Sequence, residues 1–174
     1  PATNHPRMLT TLQAAARRGC RIVSINPLAE PGMARFAHPQ EVAGILGLGT
    51  PLVDTWLRVR IGGDIALLKG LQKEVLARGA EDTVFIEAYT EGYESWRADL
   101  DAVTWDELVE QSGVSREEIA AAGKIYAEAH SAIVCWAMGL TQHRFGVGNI
   151  QEVVNLLLLR GNMWRPGAGA CPVR

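Results

Sequence analysis

The sequence predicts an α/β protein with a Rossmann-like fold, in which helices cover both faces of a mostly parallel sheet. Helical and strand-like segments alternate along the 174 residues, and most strand-like segments are continuous apolar runs. Such runs are typical of parallel sheets, because both faces of these sheets are buried. Hydrophobic residues make up 48% of the chain, which is enough for a core. The length fits one domain, so we expect residues 1–174 to form a single α/β domain.

The first predicted element is a helix over residues 5–18, whose apolar side chains fall near one face and which ends at Gly19. A short buried strand over residues 21–25 follows it. In a helix–strand unit of this kind another strand should precede the helix, and none does. The chain also begins at Pro1 without a methionine. We therefore expect an excised piece of a longer protein that lacks its first strand.

Residues 26–55 are rich in Gly and Pro, which predicts irregular structure with one short helix over residues 40–46. The next segment, residues 56–60, alternates in the way that a strand does. The strand-like segment is followed by the first strongly helical stretch of the chain.

A strong helix is predicted over residues 65–78, with Asp64 as its N-cap and Gly79 as its C-cap. Three short acidic helices follow, the first of them capped by Asp82. Ser115 begins a capping box before another helix. A buried strand and an apolar helix complete the predicted elements. These elements span residues 83–89, 91–99, 104–111, 116–129, 131–136 and 148–160.

The formal net charge of −2 is unevenly distributed. Residues 81–118 contain twelve acidic residues and two arginines, whereas residues 1–60 and 131–174 are basic. The acidic middle argues against a nucleic-acid-binding surface there. The basic ends either face a pyrophosphate or are simply solvated. With neither a membrane-spanning apolar run nor a secretory signal pattern, we expect a cytoplasmic protein.

The three cysteines, Cys20, Cys135 and Cys171, are isolated along the chain and odd in number. They do not have the spacing of a metal site, which argues against a structural zinc or an iron–sulfur cluster within the chain. Reduced thiols in or near a core are the expected alternative.

Three loops are expected to leave the carboxyl ends of the strands, where parallel sheets bind ligands. The first begins at Asn26 and Pro27. An Asn carboxamide both donates and accepts, which suits a nucleobase edge or a sugar hydroxyl, although Asn-Pro also forms simple turns. The second, Gly63 and Asp64, precedes a helix and offers backbone N–H groups to an anion. An ordinary capped helix start explains that pattern equally.

The third loop follows the strand over residues 131–136 and suits a heterocycle with several hydrogen-bonding edges. It offers a soft sulfur, a glycine for close approach, a hydroxyl and an amide, from Met138, Gly139, Thr141 and Gln142. An ordinary transition from strand to loop is the alternative interpretation. His143 has no carboxylate near it in the sequence, so we expect a lone exposed loop histidine.

Arg174 ends the chain after a loop rich in Gly and Pro. A guanidinium held by such a loop could bind a small carboxylate or oxyanion with two parallel hydrogen bonds. A frayed chain end is the alternative. No Ser/His/Asp or Cys/His set for nucleophilic catalysis, and no cluster of metal ligands, follows from the spacing of the residues.

These three loops, in this order, resemble the large subunit of molybdopterin-dependent oxidoreductases of the formate dehydrogenase and dimethyl sulfoxide reductase superfamily. The chain is most similar to the formate dehydrogenase-like branch, the molybdopterin oxidoreductase alpha subunits. The similarity is colinear over nearly the whole chain. The stretches that carry it are residues 5–6, 22–27, 63–68, 89–93, 136–142 and 161–174.

The resemblance implies a Rossmann-like domain of a multidomain enzyme that holds one part of a bis(molybdopterin guanine dinucleotide) cofactor with Mo or W. It implies that Asn26 and Pro27 contact a guanosine, and that Gly63–Asp64 and Met138–Gln142 contact the dinucleotide. Arg174 resembles the catalytic arginine that orients formate while it is oxidised to CO2. The implied partners are the other domains of the parent subunit, a small anion such as formate, and an electron-transfer partner.

The chain also differs from typical formate dehydrogenases. Residues 39–56 look like an insertion, and relatives often have an acidic residue at the position of Asn26. The metal ligand and any iron–sulfur cysteines would lie outside the chain, so we expect the isolated piece to be inactive. Two other functions fit the residues. One is a non-enzymatic nucleotide-binding module that uses the Asn26, Asp64 and Gln142 loops and needs no role for Arg174. The other is an interaction domain whose acidic residues 81–118 dock a basic partner.

Overall fold

A computed structural model describes residues 5–173 of the chain, apart from the side chain of Ala43. The chain divides between Arg58 and Val59 into two compact units, here unit 1 and unit 2. Both units contain helices and short strands, and each has one parallel pair of strands. The predicted α/β class is therefore confirmed. Within residues 5–173 the parallel strands form two separate pairs and not one continuous sheet.

Unit 1 combines short helices with two strand pairs, β1 with β4 in parallel and β2 with β3 antiparallel. Its elements are α1 (Met8–Arg17), β1 (Val23–Ile25), α2 (Pro31–Ala34), β2 (Arg35–Phe36), α3 (Val42–Ile45), β3 (Thr50–Pro51) and β4 (Thr55–Leu57). The predicted helices and strands are present with shorter bounds. Residues 26–55 contain more regular structure than predicted, because strands of two residues leave no periodic pattern in a sequence.

The residues expected to be an insertion, 39–56, are built into unit 1. Gln13 of α1 donates to the Thr50 hydroxyl at 3.1 Å. Arg17 donates to both carboxylate oxygens of Glu41, at 2.9 and 2.7 Å. Apolar contacts add to these bonds, around a small core formed by Leu9, Met33 and Leu52. Residues 39–56 therefore stabilise α1 through hydrogen bonds and through apolar contacts.

Unit 2 is mainly helical, with one parallel strand pair. Its elements are α4 (Asp64–Ala77), α5 (Thr83–Tyr89), α6 (Tyr93–Ala102), α7 (Trp105–Ser112), α8 (Arg116–Glu128), β5 (Ile133–Trp136), α9 (Met138–Thr141), α10 (Gly146–Leu159) and β6 (Gly169–Pro172). The helix predictions are confirmed within a few residues at each end. No helix in residues 5–173 is both long enough and apolar enough to cross a membrane.

Helix α4 lies at the centre of unit 2 and packs against α7, α8 and α10. Leu67, Gln72 and Val75 have no exposed surface. A helix buried on nearly all sides needs partners for its polar side chains, and the Gln72 amide donates to the Glu152 carbonyl at 3.1 Å. Gly123 of α8 allows close approach, since a Cβ there would lie 2.5 Å from the Cβ of Glu74.

The ends of α4 differ in detail from the prediction. Asp64 is the first residue of the helix, and the N-cap is Gly63, so the prediction of Asp64 as N-cap is wrong. The C-cap is Arg78, and Gly79 follows it with a positive φ of 59°. The C-cap thus lies one position before the predicted one, so the prediction of Gly79 as C-cap is wrong, and Gly79 is the left-handed residue that follows the cap.

Part of the acidic charge of residues 81–118 stabilises helix N-termini. Asp82 accepts from the Phe85 N–H at 3.0 Å, as predicted for a cap. Two capping boxes are present, formed by Thr104 with Glu107 and by Ser115 with Glu118. A carboxylate at a helix N-terminus is favoured by the helix dipole and by the free N–H groups. These acids therefore have structural roles that need no basic partner.

Strand β6 is an element that the sequence did not predict. Residues 169–172 were expected to be loop, yet they pair in parallel with β5. The Gly169 N–H donates to the Ala132 carbonyl at 2.9 Å, and the Val173 N–H donates to the Trp136 carbonyl at 2.7 Å. Small residues and a proline carry no strand propensity, so the pairing with β5 decides the structure.

Candidate functional site

Two of the three predicted loops meet in unit 2. Asp64 begins α4, and His143 lies between α9 and α10. The Nδ1 atom of His143 lies 3.5 Å from Oδ2 of Asp64, and the two side chains are 25% and 13% exposed. The Gly63–Asp64 turn therefore lies beside the segment that contains Met138–Gln142. The prediction of His143 as a lone exposed histidine is wrong, because its carboxylate partner comes from a distant part of the sequence.

The Asp64 carboxyl is held in an unfavourable environment. Burial raises the pKa of Asp64, and the nearby His143 and its own backbone N–H lower it by less. Its Oδ2 atom is buried and has no hydrogen-bond partner among the residues that the structure describes. A buried carboxylate with an unused acceptor atom is a candidate for ligand binding.

Asp64→Asn is expected to change how folding stability depends on pH. Because the folded-state pKa of Asp64 is raised, the folded protein binds this proton more tightly than the unfolded chain does. The contribution of Asp64 to stability therefore falls as pH rises from the unfolded pKa through the folded pKa. Relative to the natural protein, Asp64→Asn should become more stable over that window, as measured by urea unfolding at a series of pH values.

Asp99→Asn is the matched control, since Asp99 is an exposed residue of α6. It should leave the pH dependence of unfolding unchanged. A pH dependence of Asp64→Asn that matches the natural protein would contradict the environment described for Asp64.

The segment from Met138 to His143 is held by the first turns of α10. Asn149 is 1% exposed, and its amide donates to the Leu140 carbonyl at 3.2 Å. The Gly146 N–H donates to the His143 carbonyl at 3.0 Å. A Cβ at Gly146 would lie 2.3 Å from the Thr141 carbonyl oxygen, so only glycine fits there without a shift. Residues 138–141 form a short helix, and the prediction of a loop is wrong at these positions.

Helix α9 presents its polar and small residues to solvent. Met138 is 60% exposed, and Gly139, Thr141 and Gln142 are also exposed. A Cβ added at Gly139 would meet no atom within 4 Å. The sulfur, the hydroxyl and the amide that the sequence indicated are therefore available to a ligand next to Asp64.

Gly63 has a packing role. It is buried, and a Cβ there would lie 2.5 Å from the Gln111 carbonyl oxygen at the end of α7. The need for glycine at this position is explained by close contact between backbones. A contact of Gly63 with a ligand stays a prediction.

Asn26 and Pro27 lie in unit 1, after β1. The Asn26 amide donates to Glu30 Oε1 at 3.1 Å, and its side-chain oxygen accepts from the Leu28 N–H at 3.0 Å. Both ends of the carboxamide thus stabilise a local turn, which is the alternative that the sequence left open. Pro27 is exposed. Contact with a guanosine stays a prediction for both residues.

Arg174 lies outside the residues that the structure describes. The preceding residue, Val173, donates its N–H to the Trp136 carbonyl at the carboxyl end of β5. Trp136 is followed by Ala137 and then by Met138 of α9. The catalytic role of Arg174 stays a prediction.

A buried polar cluster supports β5, and the sequence alone did not indicate its role. Asn162 is 2% exposed, accepts from the Ala132 N–H at 3.2 Å and donates to the Tyr126 hydroxyl at 3.0 Å. Burial raises the pKa of Tyr126 to about 12, so the phenol keeps its proton and donates to the Leu156 carbonyl at 2.7 Å. The sequence did contain one signal for this cluster, because the apolar helix is followed directly by Arg160-Gly161-Asn162.

Two shallow depressions are lined by other residues. One, of about 170 Å³, is in unit 1 and is lined in part by Cys20, Arg21 and Asp54. The other, of about 340 Å³, lies between α5 and α6. Neither is lined by a predicted site residue.

The described residues fit the kind of group that the resemblance implies. A guanine dinucleotide needs acceptors and donors for its base, its sugar hydroxyls and its pyrophosphate. Asp64 offers an unused acceptor, the Gln142 amide and Thr141 hydroxyl are exposed, and Gly139 leaves open space. Across residues 5–173, no three His, Cys, Asp or Glu side chains converge to hold a metal ion.

The chain matches no protein-family model. It is 42% identical over 185 residues to Protein YdeP of Escherichia coli (strain K12), an alignment that covers all of this chain and 24% of that protein. It is 31% identical over 174 residues to formate dehydrogenase H of the same strain, covering all of this chain and 22% of that protein. The chain thus spans about a quarter of the length of the curated relatives it matches.

Among solved structures, acetylene hydratase from Pelobacter acetylenicus has a similar fold, with a TM-score of 0.72 and 24% sequence identity. The similarity covers 92% of this chain and 20% of that chain, which agrees with an α/β part of a larger multidomain protein. The resemblance that the sequence indicated is thereby confirmed, since the whole chain is similar to one part of larger proteins that include formate dehydrogenase H.

Proposed function

We propose that the chain is the cofactor-binding domain of an oxidoreductase that uses a bis(molybdopterin guanine dinucleotide) cofactor with Mo or W. The full-length protein would act in the cytoplasm, oxidise formate to CO2 and pass the electrons to a partner. The observation that carries the proposal is the 3.5 Å approach of His143 to Asp64. It joins two loops that were singled out separately, each for its suitability to bind part of a nucleotide.

In this proposal the residues of unit 2 bind and orient the dinucleotide. Asp64 would accept a hydrogen bond from a base N–H or a ribose hydroxyl, with the His143 ring beside it. Gln142 and Thr141 would supply further donors and acceptors, and Gly139 would allow close approach of the ligand. The bound cofactor would supply the redox chemistry.

Two contacts are proposed outside this group of residues. Asn26 and Pro27 would contact the guanosine. The Asn26 carboxamide would then give up its hydrogen bonds with Glu30 and Leu28 and form hydrogen bonds with the ligand instead. Arg174 would bind the formate carboxylate through its planar guanidinium and stabilise negative charge during the reaction.

The test is a measurement of Mo, W and GMP in the purified full-length protein. Metal is measured by mass spectrometry, and GMP is measured after its release by mild acid hydrolysis. GMP and metal in the ratio of a bis-dinucleotide cofactor are the expected result. A well-matured preparation with neither metal nor GMP would remove the basis of the proposal and favour a non-enzymatic module.

Gly139→Met is expected to reduce the GMP content of the full-length protein. The added side chain would fill the open space beside Gly139 and block the ligand. Because no atom beyond the chain neighbours and the helix's own backbone lies within 4 Å of the added Cβ, the free energy of unfolding should change by less than about 0.5 kcal/mol. Gln142→Ala should also lower the GMP content, through loss of an exposed amide.

Glu87→Ala is the control, since Glu87 is an exposed residue of α5 away from these loops. It should retain full GMP content. Normal GMP content in both Gly139→Met and Gln142→Ala would exclude α9 from cofactor binding.

A further inference from the structure

The two strands of unit 2 bring a pair of cysteines together. In the parallel pairing of β5 with β6, Cys135 lies directly opposite Cys171. Both cysteines are exposed free thiols, so the expectation of thiols in or near a core is wrong for them. Nothing in their sequence spacing indicated this pairing, because β6 was predicted as a loop.

The separation of the two residues suits a disulfide. Neighbouring strands lie about 4.7–4.9 Å apart, and directly opposed residues point to the same face of the sheet. Disulfides join residues whose Cα atoms are about 4.4–6.8 Å apart. The strand pairing is continued on both sides, with Val134 opposite Ala170 and Trp136 opposite Pro172. The spacing of paired strands therefore falls within the range of Cα separations that a disulfide spans.

We propose that Cys135 and Cys171 form a dithiol that is oxidised reversibly to an intrachain disulfide, with hydrogen peroxide as the oxidant. The site is a modification site that lies directly before α9, since Trp136 and Ala137 connect Cys135 to Met138. The disulfide would join the strand that leads into α9 to the strand that leads to Val173.

The oxidation has two steps. One thiolate attacks a peroxide oxygen and breaks the O–O bond, which gives a sulfenic acid and hydroxide. The sulfur of the second thiol then attacks the sulfenic sulfur, and the S–S bond forms while the oxygen leaves as water. The two sulfurs lose two electrons in total, and the peroxide is reduced to two molecules of water once the hydroxide takes up the proton of the first thiol.

The two thiols are electrostatically linked. Partial burial raises the pKa of Cys135 to about 11, and the charge and hydrogen bonding of Cys171 raise it as well. Because each thiol affects the ionisation of the other, either sulfur can attack the peroxide, and the remaining thiol then resolves the sulfenic acid.

The test is peptide mapping of the full-length protein after brief exposure to hydrogen peroxide and alkylation of the remaining thiols. A cross-linked peptide pair that contains Cys135 and Cys171 is expected, and dithiothreitol should restore both thiols. The link should form at least tenfold faster in the native protein than in the urea-unfolded protein. A link that forms no faster in the native protein, or both thiols remaining free, would overturn the proposal.

Single substitutions test the pairing of the two thiols. Cys135→Ser should leave a sulfenic acid at Cys171 that dimedone traps, and Cys171→Ser should leave one at Cys135. Cys20→Ser is the matched control and should leave the link unchanged, because Cys20 takes no part in the pairing of β5 with β6. An intrachain link that forms as fast in Cys135→Ser or in Cys171→Ser as in the natural protein would contradict the pairing.

Discussion

Glu74→Ala is expected to lower the free energy of unfolding by about 3 kcal/mol, the lower end of the range for breaking a buried ion pair. The Glu74 side chain is 4% exposed within the core of unit 2. One carboxylate oxygen lies 2.5 Å from Nη2 of Arg116, and the other lies 3.1 Å from Nη2 of Arg78. One buried carboxylate thus links α4 with α8 through two arginines.

The surroundings of the two arginines explain why the lower end of the range applies. Arg78 and Arg116 are 36% and 39% exposed, so solvent screens part of the attraction. Arg116 also stacks on the ring of Trp105 at 3.5 Å, and its Nη1 atom is buried without a hydrogen-bond partner in the described part of the chain. Without Glu74, this guanidinium keeps a buried Nη1 atom and loses its counter-charge.

The measurement is urea unfolding of Glu74→Ala beside Glu87→Ala, the control on the exposed face of α5. The control should change the free energy of unfolding by no more than about 0.5 kcal/mol. Combining Glu74→Ala with Arg116→Ala should cost clearly less than the sum of the single changes, because the two residues contact each other. Additive effects would show that the ion pair contributes nothing of its own.

The helices of unit 2 were predictable because their signals are local. Asp82 and Ser115 accept from backbone N–H groups within their own first turns, and both caps could be identified from a few neighbouring residues. Helix α10 likewise carries its apolar side chains at helical spacing and is followed by Gly161, whose φ is 62°. Local chemistry of this kind needs no knowledge of the fold.

The pairing of β6 and the contact between Asp64 and His143 could not be predicted in the same way. Each depends on two segments that are far apart in the sequence and that only the fold brings together. The burial of Glu74 could not be predicted either, because a glutamate on a helix is usually exposed. For the candidate site, the sequence indicates the residue types in each loop. It does not indicate which residues of other segments lie next to them.

Gly146→Ala is expected to lower the free energy of unfolding by about 1–3 kcal/mol, the usual cost of overpacking. The new methyl group would lie 2.3 Å from the Thr141 carbonyl oxygen, and backbone has to move to accommodate it. The movement would affect the bond from the Gly146 N–H to the His143 carbonyl, and with it the position of His143 beside Asp64.

Gly139→Ala is the matched control for this change, because it adds the same methyl group to the same segment in open space. Urea unfolding should find it unchanged within about 0.5 kcal/mol. Equal stabilities of the two variants would contradict the close packing at Gly146. In the full-length protein, Gly146→Ala should reduce both stability and GMP content, whereas Gly139→Met should reduce GMP content alone. That difference would separate the role of Gly146 in holding the segment from the role of Gly139 in admitting a ligand, two requirements for glycine that the sequence by itself does not distinguish.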